Sequence, residues 1–392
     1  MKKLEIDSKI KNQVFAVRCR DYSQLSQQVN TLLELAGGLE QYIKPGEKIV
    51  LKPNLLMAAA PEKCATTHPE LLSAIGTHVR QLGGQAILAE SPGAGFPHSK
   101  RTFERVFDKC GMLDAVRKAG IEASFDEGWQ VVSYPEGQFI KRFEVINPIL
   151  AADGVINLCK LKTHGFMSMT GAVKNCFGVI PGLTKPGYHA KLQKKELFAR
   201  MLLDLCNYVS PRLSIMDAVI GMEGEGPNAG TPRAVGLLLA AANPLALDVV
   251  ASEIMGLNRR DNPVLLEAEK LGMTPTRLED VELIGLDKAD LRIAGYKLPS
   301  TIIQESGSSR LLAMLAPAIK SGLTMHPHII EDKCTACGTC RDACPMHVII
   351  IQNKVAVIDD KGCIRCYCCH EMCPHEAIDL QGGFMYRVLN RG

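Results

Sequence analysis

No stretch of this 392-residue chain approaches the run of about 20 apolar side chains that a bilayer-spanning helix requires. The opening M-K-K-L-E-I-D-S-K has no apolar core, so no secretory signal is expected. Aromatic residues are scarce, at 5% with a single Trp, against an apolar content of 46%, which predicts a core built mainly from aliphatic side chains. Neither sign of charge dominates: 45 Lys and Arg stand against 42 Asp and Glu, which is not the footprint of a nucleic-acid binder. No G-x-x-x-x-G-K-[ST] occurs, which excludes a P-loop nucleotide site. Neither S-P-G-A-G-F (91–96) nor G-M-E-G-E-G (221–226) is the strand–GxGxxG–helix pattern of a Rossmann dinucleotide site. HExxH is absent, and so is a separate three-Cys run for a radical cluster. These absences predict a soluble, cytoplasmic protein with neither a membrane nor a nucleic acid as partner.

Cysteine, by contrast, is plentiful: there are fifteen. Residues 334–345 read C-T-A-C-G-T-C-R-D-A-C-P and residues 363–374 read C-I-R-C-Y-C-C-H-E-M-C-P. Both contain C-x2-C-x2-C-x3-C-P, the bacterial ferredoxin spacing, in which three thiolates reach three corners of one cubane and the fourth ligates the other. On that rule Cys334, Cys337, Cys340 and Cys373 hold one [4Fe–4S] cluster, and Cys363, Cys366, Cys369 and Cys344 hold a second. A zinc ribbon would need two CxxC pairs and no third or fourth Cys at these intervals, and a disulfide framework would need a secretory signal. Cys368 lies outside both registers and reads as a packed thiol. Cys19, Cys64, Cys110, Cys159, Cys176 and Cys206 are scattered without pairing logic, which suits a reducing compartment. Over about 328–380 the segment resembles the two-cluster bacterial ferredoxins.

The rest alternates strand and helix. Strands are predicted at 12–19, 48–51, 85–90, 154–159, 212–217, 234–241 and 281–285. Helices are predicted at 22–42, from Pro69 to Gly83-Gly84, at 99–119 with a break near Gly111, at 194–209 and at 245–255. Short strands are expected within 121–145. This alternation predicts an α/β fold, a mostly parallel sheet with helices on both faces, followed by a small α+β ferredoxin-type domain. The expected divisions are 1–305, a linker over 306–326, the ferredoxin domain over 327–380 and a tail over 381–392.

Open parallel sheets bind ligands beyond the carboxyl ends of their strands. Four predicted strands end there in polar residues: Lys52 and Asn54; Glu90; Lys160, Lys162 and His164; and Asp217, followed by Glu223 and Glu225. The glycine-rich loop 170–182 adds Lys174 and Asn175. Loops this long and polar inside a compact domain are usually functional. The lysines are candidates for an anion site, since ammonium groups and free loop N–H groups favour negative charge, although a lysine after a strand is also a common solvent-facing terminator. Asp217 is a candidate base or metal ligand; Asp217, Glu223 and Glu225 are candidates to bind a hard divalent cation through their oxygens, or else to cap or solvate a loop. His164 is a candidate proton donor near neutrality.

K-P-N-L-L (52–56), E-S-P-G (90–93), K-L-K-T-H (160–164), T-G-A-V-K-N-C-F-G (170–178) and the D-A-V-x-G-M-E-G-x-G-P run (217–227) resemble the iron–sulfur-associated domain-of-unknown-function proteins often fused to a ferredoxin module. The resemblance covers roughly 12–290 plus the ferredoxin segment. It implies a redox role and no particular reaction. Two functions follow as expectations. One is an oxidoreductase in which the ferredoxin module passes low-potential electrons to a small anionic substrate, or to an unidentified bound cofactor. The other is an electron carrier or maturation factor whose α/β domain docks a redox partner protein.

Overall fold

The computed structural model of the chain describes residues 12–93, 95–302 and 325–382. It opens with β1 (Gln13–Arg18), α1 (Leu25–Leu35), β2 (Lys48–Pro53), α2 (Pro69–Gln81) and β3 (Gln85–Leu88). Pro69 occupies the first turn of α2, where its missing N–H is no loss, and the His68 ring accepts from the Glu70 amide as N-cap. The break expected near Gly111 separates α3 (Lys100–Lys109) from α4 (Met112–Ala119). Gly111 takes a φ of 72° there, a left-handed conformation open to glycine. β4 (Glu122–Ala123), the hairpin of β5 (Trp129–Ser133) and β6 (Arg142–Ile146), and α5 (Asn147–Leu150) complete this half.

The second half runs β7 (Gly154–His164), β8 (Ser168–Met169), α6 (Gly171–Asn175), α7 (Lys185–Lys191), α8 (Lys195–Val209), β9 (Leu213–Glu223), β10 (Thr231–Ala241), α9 (Pro244–Met255), α10 (Pro263–Lys270) and β11 (Glu282–Ile284). Two strands of this half run past their expected ends. β7 does not stop at Cys159, nor β9 at Asp217; each continues to 11 residues, and every residue of β7 is buried. Lysine continues a buried strand when an oxygen waits for its ammonium, as Asp217 does for Lys160. The loop expected over 170–182 is instead partly coiled into α6 and short 3-10 turns.

The strand order is β11-β1-β10-β9-β7-β2-β3-β4, with β8 attached to β7. β10 is antiparallel to both its neighbours, so β1 and β9 point the same way. β7, β2 and β3 are parallel to β9 through successive pairings. The carboxyl ends of β1, β9, β7, β2 and β3 therefore share one edge, the rim. Alternating residues feed cores on both faces of the sheet: Leu237 and Leu239 pack with α8 and α9, while Leu238 and Ala240 pack with α1 and α2.

The C-terminal module has β12 (Met325–Ile329) antiparallel to β15 (Ile378–Gly382), and β13 (Ile349–Gln352) antiparallel to β14 (Val355–Ile358). Two short helices, Thr339–Asp342 and Cys368–Met372, lie between them. The linker expected over 306–326 falls outside the described residues as far as 324, and His326 already belongs to β12. The expected tail falls outside them from 383.

Candidate functional site

The two Cys runs repeat one backbone path. Ala336 and Arg365, each two residues past the first Cys of its run, have φ of 56° and 57°; Gly338 and Tyr367, two further on, have 81° and 61°. Left-handed residues at these steps wrap each loop around a hollow. One hollow is lined by Cys334, Cys337, Cys340 and Cys373. The other is lined by Cys344, Cys363, Cys366 and Cys369, with Cys368 in its wall. Each draws three thiols from one run and one from the other, the donor set a cubane needs. Among the described residues no three His, Cys, Asp or Glu side chains converge closely enough to share a single ion.

The module sits on the rim. Met372 is buried with Met57, Ala59, Ala65 and Met222 of the α/β domain. A Cβ on Gly95 would meet the Ala343 Cβ at 2.7 Å, so that glycine permits the approach. Asn228 Nδ2 donates to the Cys373 carbonyl at 2.9 Å, and Lys63 pairs with Glu376 at 2.6 Å. The crevice expected at the strand ends is therefore covered by the ferredoxin module.

Under this cover the sequence-selected side chains fall into three groups. In the first, buried Lys52 meets Glu90 at 2.6 Å. Burial raises the Glu90 pKa, opposed by Lys52 and Lys185. Lys185 donates to the Ser91 and Pro92 carbonyls at 2.6 and 2.5 Å, and burial brings its pKa down to about 7. Asn54 donates to Asn175, which donates on to Asn157.

In the second group Lys160 pairs with Asp217 at 2.7 Å, both fully buried. Asp217 also accepts from the Tyr22 hydroxyl at 3.0 Å and the His68 amide at 2.9 Å. Lys160 donates to the Tyr22 oxygen at 3.0 Å, and Tyr22 stacks on His68 with centroids 3.5 Å apart. Burial first, then the Asp217 charge, pushes the Tyr22 phenol far up.

The third group lies at the seam. Lys162 donates to the Ala65 carbonyl at 2.6 Å, and burial drives its pKa well down. Lys174, half-buried on α6, stands 6.0 Å from the Phe177 ring centroid and makes no ion pair or hydrogen bond among the described residues. His164 Nδ1 accepts from the Phe166 and Met167 amides at 3.1 and 3.3 Å, which assigns the proton of the neutral ring to Nε2. That Nε2 points at Glu371 Oε1 of the module across 3.4 Å, and neither atom has a hydrogen-bond partner. Burial, reinforced by Lys174 and Lys162, holds the His164 pKa well below its ordinary value, and burial lifts Glu371 to about 7.

Glu223 belongs to none of these groups: it accepts from the Lys297 amide at 3.0 Å and lies 3.8 Å from Arg233. Asp217 and Glu223 thus serve separate partners, and the described residues provide no divalent-cation site. Sequence reasoning missed Tyr22, His68, Lys185 and Glu371. Only Glu371 carried a signal, a lone carboxylate between Cys369 and Cys373.

A family model described as "Domain of unknown function (DUF362)" matches residues 49–253, and one described as "4Fe-4S dicluster domain" matches residues 326–374. A thylakoid-associated protein of Synechocystis is 33% identical over 282 residues, covering 70% of this chain and 83% of its own. The lactate racemase apoprotein structure from Thermoanaerobacterium thermosaccharolyticum aligns with a TM-score of 0.40 at 11% identity, over 64% of this chain. The chain spans 58% of that structure's length. Among the described residues no helix is long and apolar enough to cross a membrane.

Proposed function

The chain belongs to the DUF362 family and carries a 4Fe-4S dicluster domain with an electron-transfer role, and on that premise we propose that electrons pass from the ferredoxin module to a small anion or anionic cofactor at the rim. Cys334, Cys337, Cys340 and Cys373 would hold one cluster, and Cys344, Cys363, Cys366 and Cys369 the other. Bound there, the clusters supply one-electron reduction. Lys174 and Lys162 hold the anion, while Lys52, Lys160, Asn54 and Asn175 keep the surrounding loops in place. His164 offers its Nε2 hydrogen as a hydrogen-bond donor to the bound anion. Its neutral tautomer, held by two backbone amides, suits it to donate rather than to pair with charge. Asp217 acts through Lys160, as a positioning residue. With eight cysteines assigned to clusters and the other seven outside any disulfide, the thiols suit a reducing compartment, and a cytoplasmic location is the reading they support.

The observation that carries this reading is the contact of Glu371 with His164 at 3.4 Å, which sets a helix of the cluster-binding run against the rim's unpartnered groups. The test is to reduce the protein anaerobically with dithionite, remove the excess, and follow reoxidation of the iron–sulfur absorbance by small organic carboxylates and phosphates. Reoxidation by one of them, lost in Lys174→Met, is expected. If none reoxidises the protein, the reading falls. A carrier role with a docked partner is favoured by one other feature: Ile350 and Val357, cross-strand neighbours on β13 and β14, are 55% and 44% exposed.

A further inference from the structure

The β13–β14 hairpin has two apolar faces, and the described residues cover only one of them. Its inward side chains line both thiol hollows: Ile351 and Ala356 border the one with Cys334, Ile349 and Ile358 the one with Cys344. The outward side chains alternate with these. Ile350 stands opposite Val357 on the neighbouring strand, and the two are 55% and 44% exposed. The wet face of an antiparallel pair is normally polar, so an aliphatic cross-strand pair there leaves apolar area for something to cover.

This wall is a single strand layer thick. The Ala356 amide donates to Cys334 Sγ at 3.4 Å, while the next residue, Val357, is at the surface. A molecule resting on Val357 is therefore one residue of backbone away from a cluster ligand. Beside it a groove runs between β12 and β14, lined by Pro327, Ile329, Glu331, Gln352, Val355 and Val357. Ile329 also lines the hollow of Cys334, so groove and hollow share a wall. Glu331 is exposed and makes no ion pair among the described residues. Across residues 325–382 eight Asp and Glu stand against five Lys and Arg, before thiolate-ligated clusters add more negative charge.

We propose that the outer face of β13–β14, with the groove beside it, is the surface on which a basic electron-carrier protein docks to exchange electrons with the clusters. The partner sets apolar side chains on Ile350 and Val357. It lays a Lys or Arg along Val355 and Val357, so that the stem packs on aliphatic carbon and the charge reaches Glu331. One electron passes per encounter: the partner's carrier is oxidised as a cluster is reduced, or the reverse, and no proton moves. The inference rests on the electron-transfer role of the module and not on the anion at the rim. Docking by strand addition fits poorly, because β12 carries Pro327, which has no N–H, and β14 commits its Ala356 amide to Cys334. A second module brought to this face would carry the same sign of net charge.

The probe is oxidised cytochrome c, a small basic haem protein, mixed with the full-length, anaerobically reconstituted protein. Two quantities are read: the dissociation constant by calorimetry before any reduction, and the rate of haem reduction after the clusters have been reduced with dithionite and the excess removed. Ile350→Ser combined with Val357→Ser should weaken binding and slow haem reduction by about tenfold. Iron content and the rate with ferricyanide, a small acceptor, should not change. Glu331→Gln should weaken binding less and flatten the dependence of the rate on salt. Thr335→Gln, which enlarges a side chain beside the exposed Cys337 but off the hairpin, should change little. Should the double variant lose iron, Val357→Thr, which keeps the shape, is read in its place. The proposal is overturned if the unaltered protein binds no cytochrome, if all variants bind it equally, or if only Thr335→Gln loses rate. It is overturned too if the protein alone is a dimer that the double variant dissociates, since the face then belongs to a second copy. Dithionite bypasses the docking face, so a protein that reoxidises with no anion removes the preceding reading and leaves this one standing.

Discussion

Two corners of one rim, a few residues apart on β7, treat buried charge in opposite ways. At Lys160 every polar group has its partner: ammonium, carboxylate, phenol and backbone amide close on one another. At the other corner Lys174 is half-buried and makes no ion pair or hydrogen bond among the described residues, the buried His164 keeps its Nε2 unpartnered, and the facing carboxylate comes from another domain. A closed network specifies structure, whereas an open one holds interaction capacity in reserve for something that arrives. The difference separates residues that support the site from those that would meet a ligand, although all are lysines, carboxylates or histidines in neighbouring motifs.

The comparison predicts its own largest effect at the closed corner. Asp217→Asn leaves the Lys160 ammonium buried without a counter-charge and should cost about 3–5 kcal/mol in a denaturant titration. Lys174→Met, which orphans nothing and keeps most of the aliphatic stem, should leave stability nearly unchanged. It should instead weaken the anion that reoxidises the protein by about 1.5–3 kcal/mol, roughly ten- to a hundredfold in affinity. Equal stability losses in the two variants would erase the distinction between the corners.

A smaller effect comes from Lys185, whose folded pKa of about 7 lies below its unfolded value of 10.5. Between those values the unfolded chain binds more protons, so this residue makes stability rise with pH from about 7 toward 10.5 and contributes no slope below that window. Lys185→Met should flatten that rise when denaturant midpoints are compared at both ends of the window. An unchanged slope would show that the carbonyls of Ser91 and Pro92 do not confine the amine. The smallest effect belongs to Cys368. Cys368→Ser should keep about eight iron atoms per chain and the reduced EPR signal, while Cys369→Ser loses one cluster. The reverse pattern would reassign that ligand.

Much of this architecture is legible in the chain because its signals are local. The Gly111 break, the Pro69 start and the doubled Cys spacing each depend on residues within a few positions of one another. The rim was legible only in part. Lys160 and Asp217 read as functional because they stand where the apolar runs stop, yet both lie inside strands and neutralise each other across adjacent ones. A polar residue in an apolar run reads as a terminus unless its partner is known, and that partner is 57 positions away. Tyr22 and Glu371 were missed for the same reason: each matters through a residue far along the chain. The covering of the rim by the ferredoxin module had no sequence signal, because docking depends on matched shapes such as Gly95 against Ala343.

The pairing of β12 with β15 has a consequence for ancestry and engineering. The first and last strands of the ferredoxin module lie side by side, with Met325 opposite Gly382. Entry and exit are thus neighbours, and the module is a cassette that a genome can append to a host chain, or remove from one, without threading it through the host's sheet. The contacts that seat it on this host include a glycine that admits a helix, an asparagine that reaches a carbonyl and a histidine left with a free nitrogen. A chimera carrying an unrelated two-cluster cassette on this α/β domain would separate what is inherited as a unit from what was fitted afterwards.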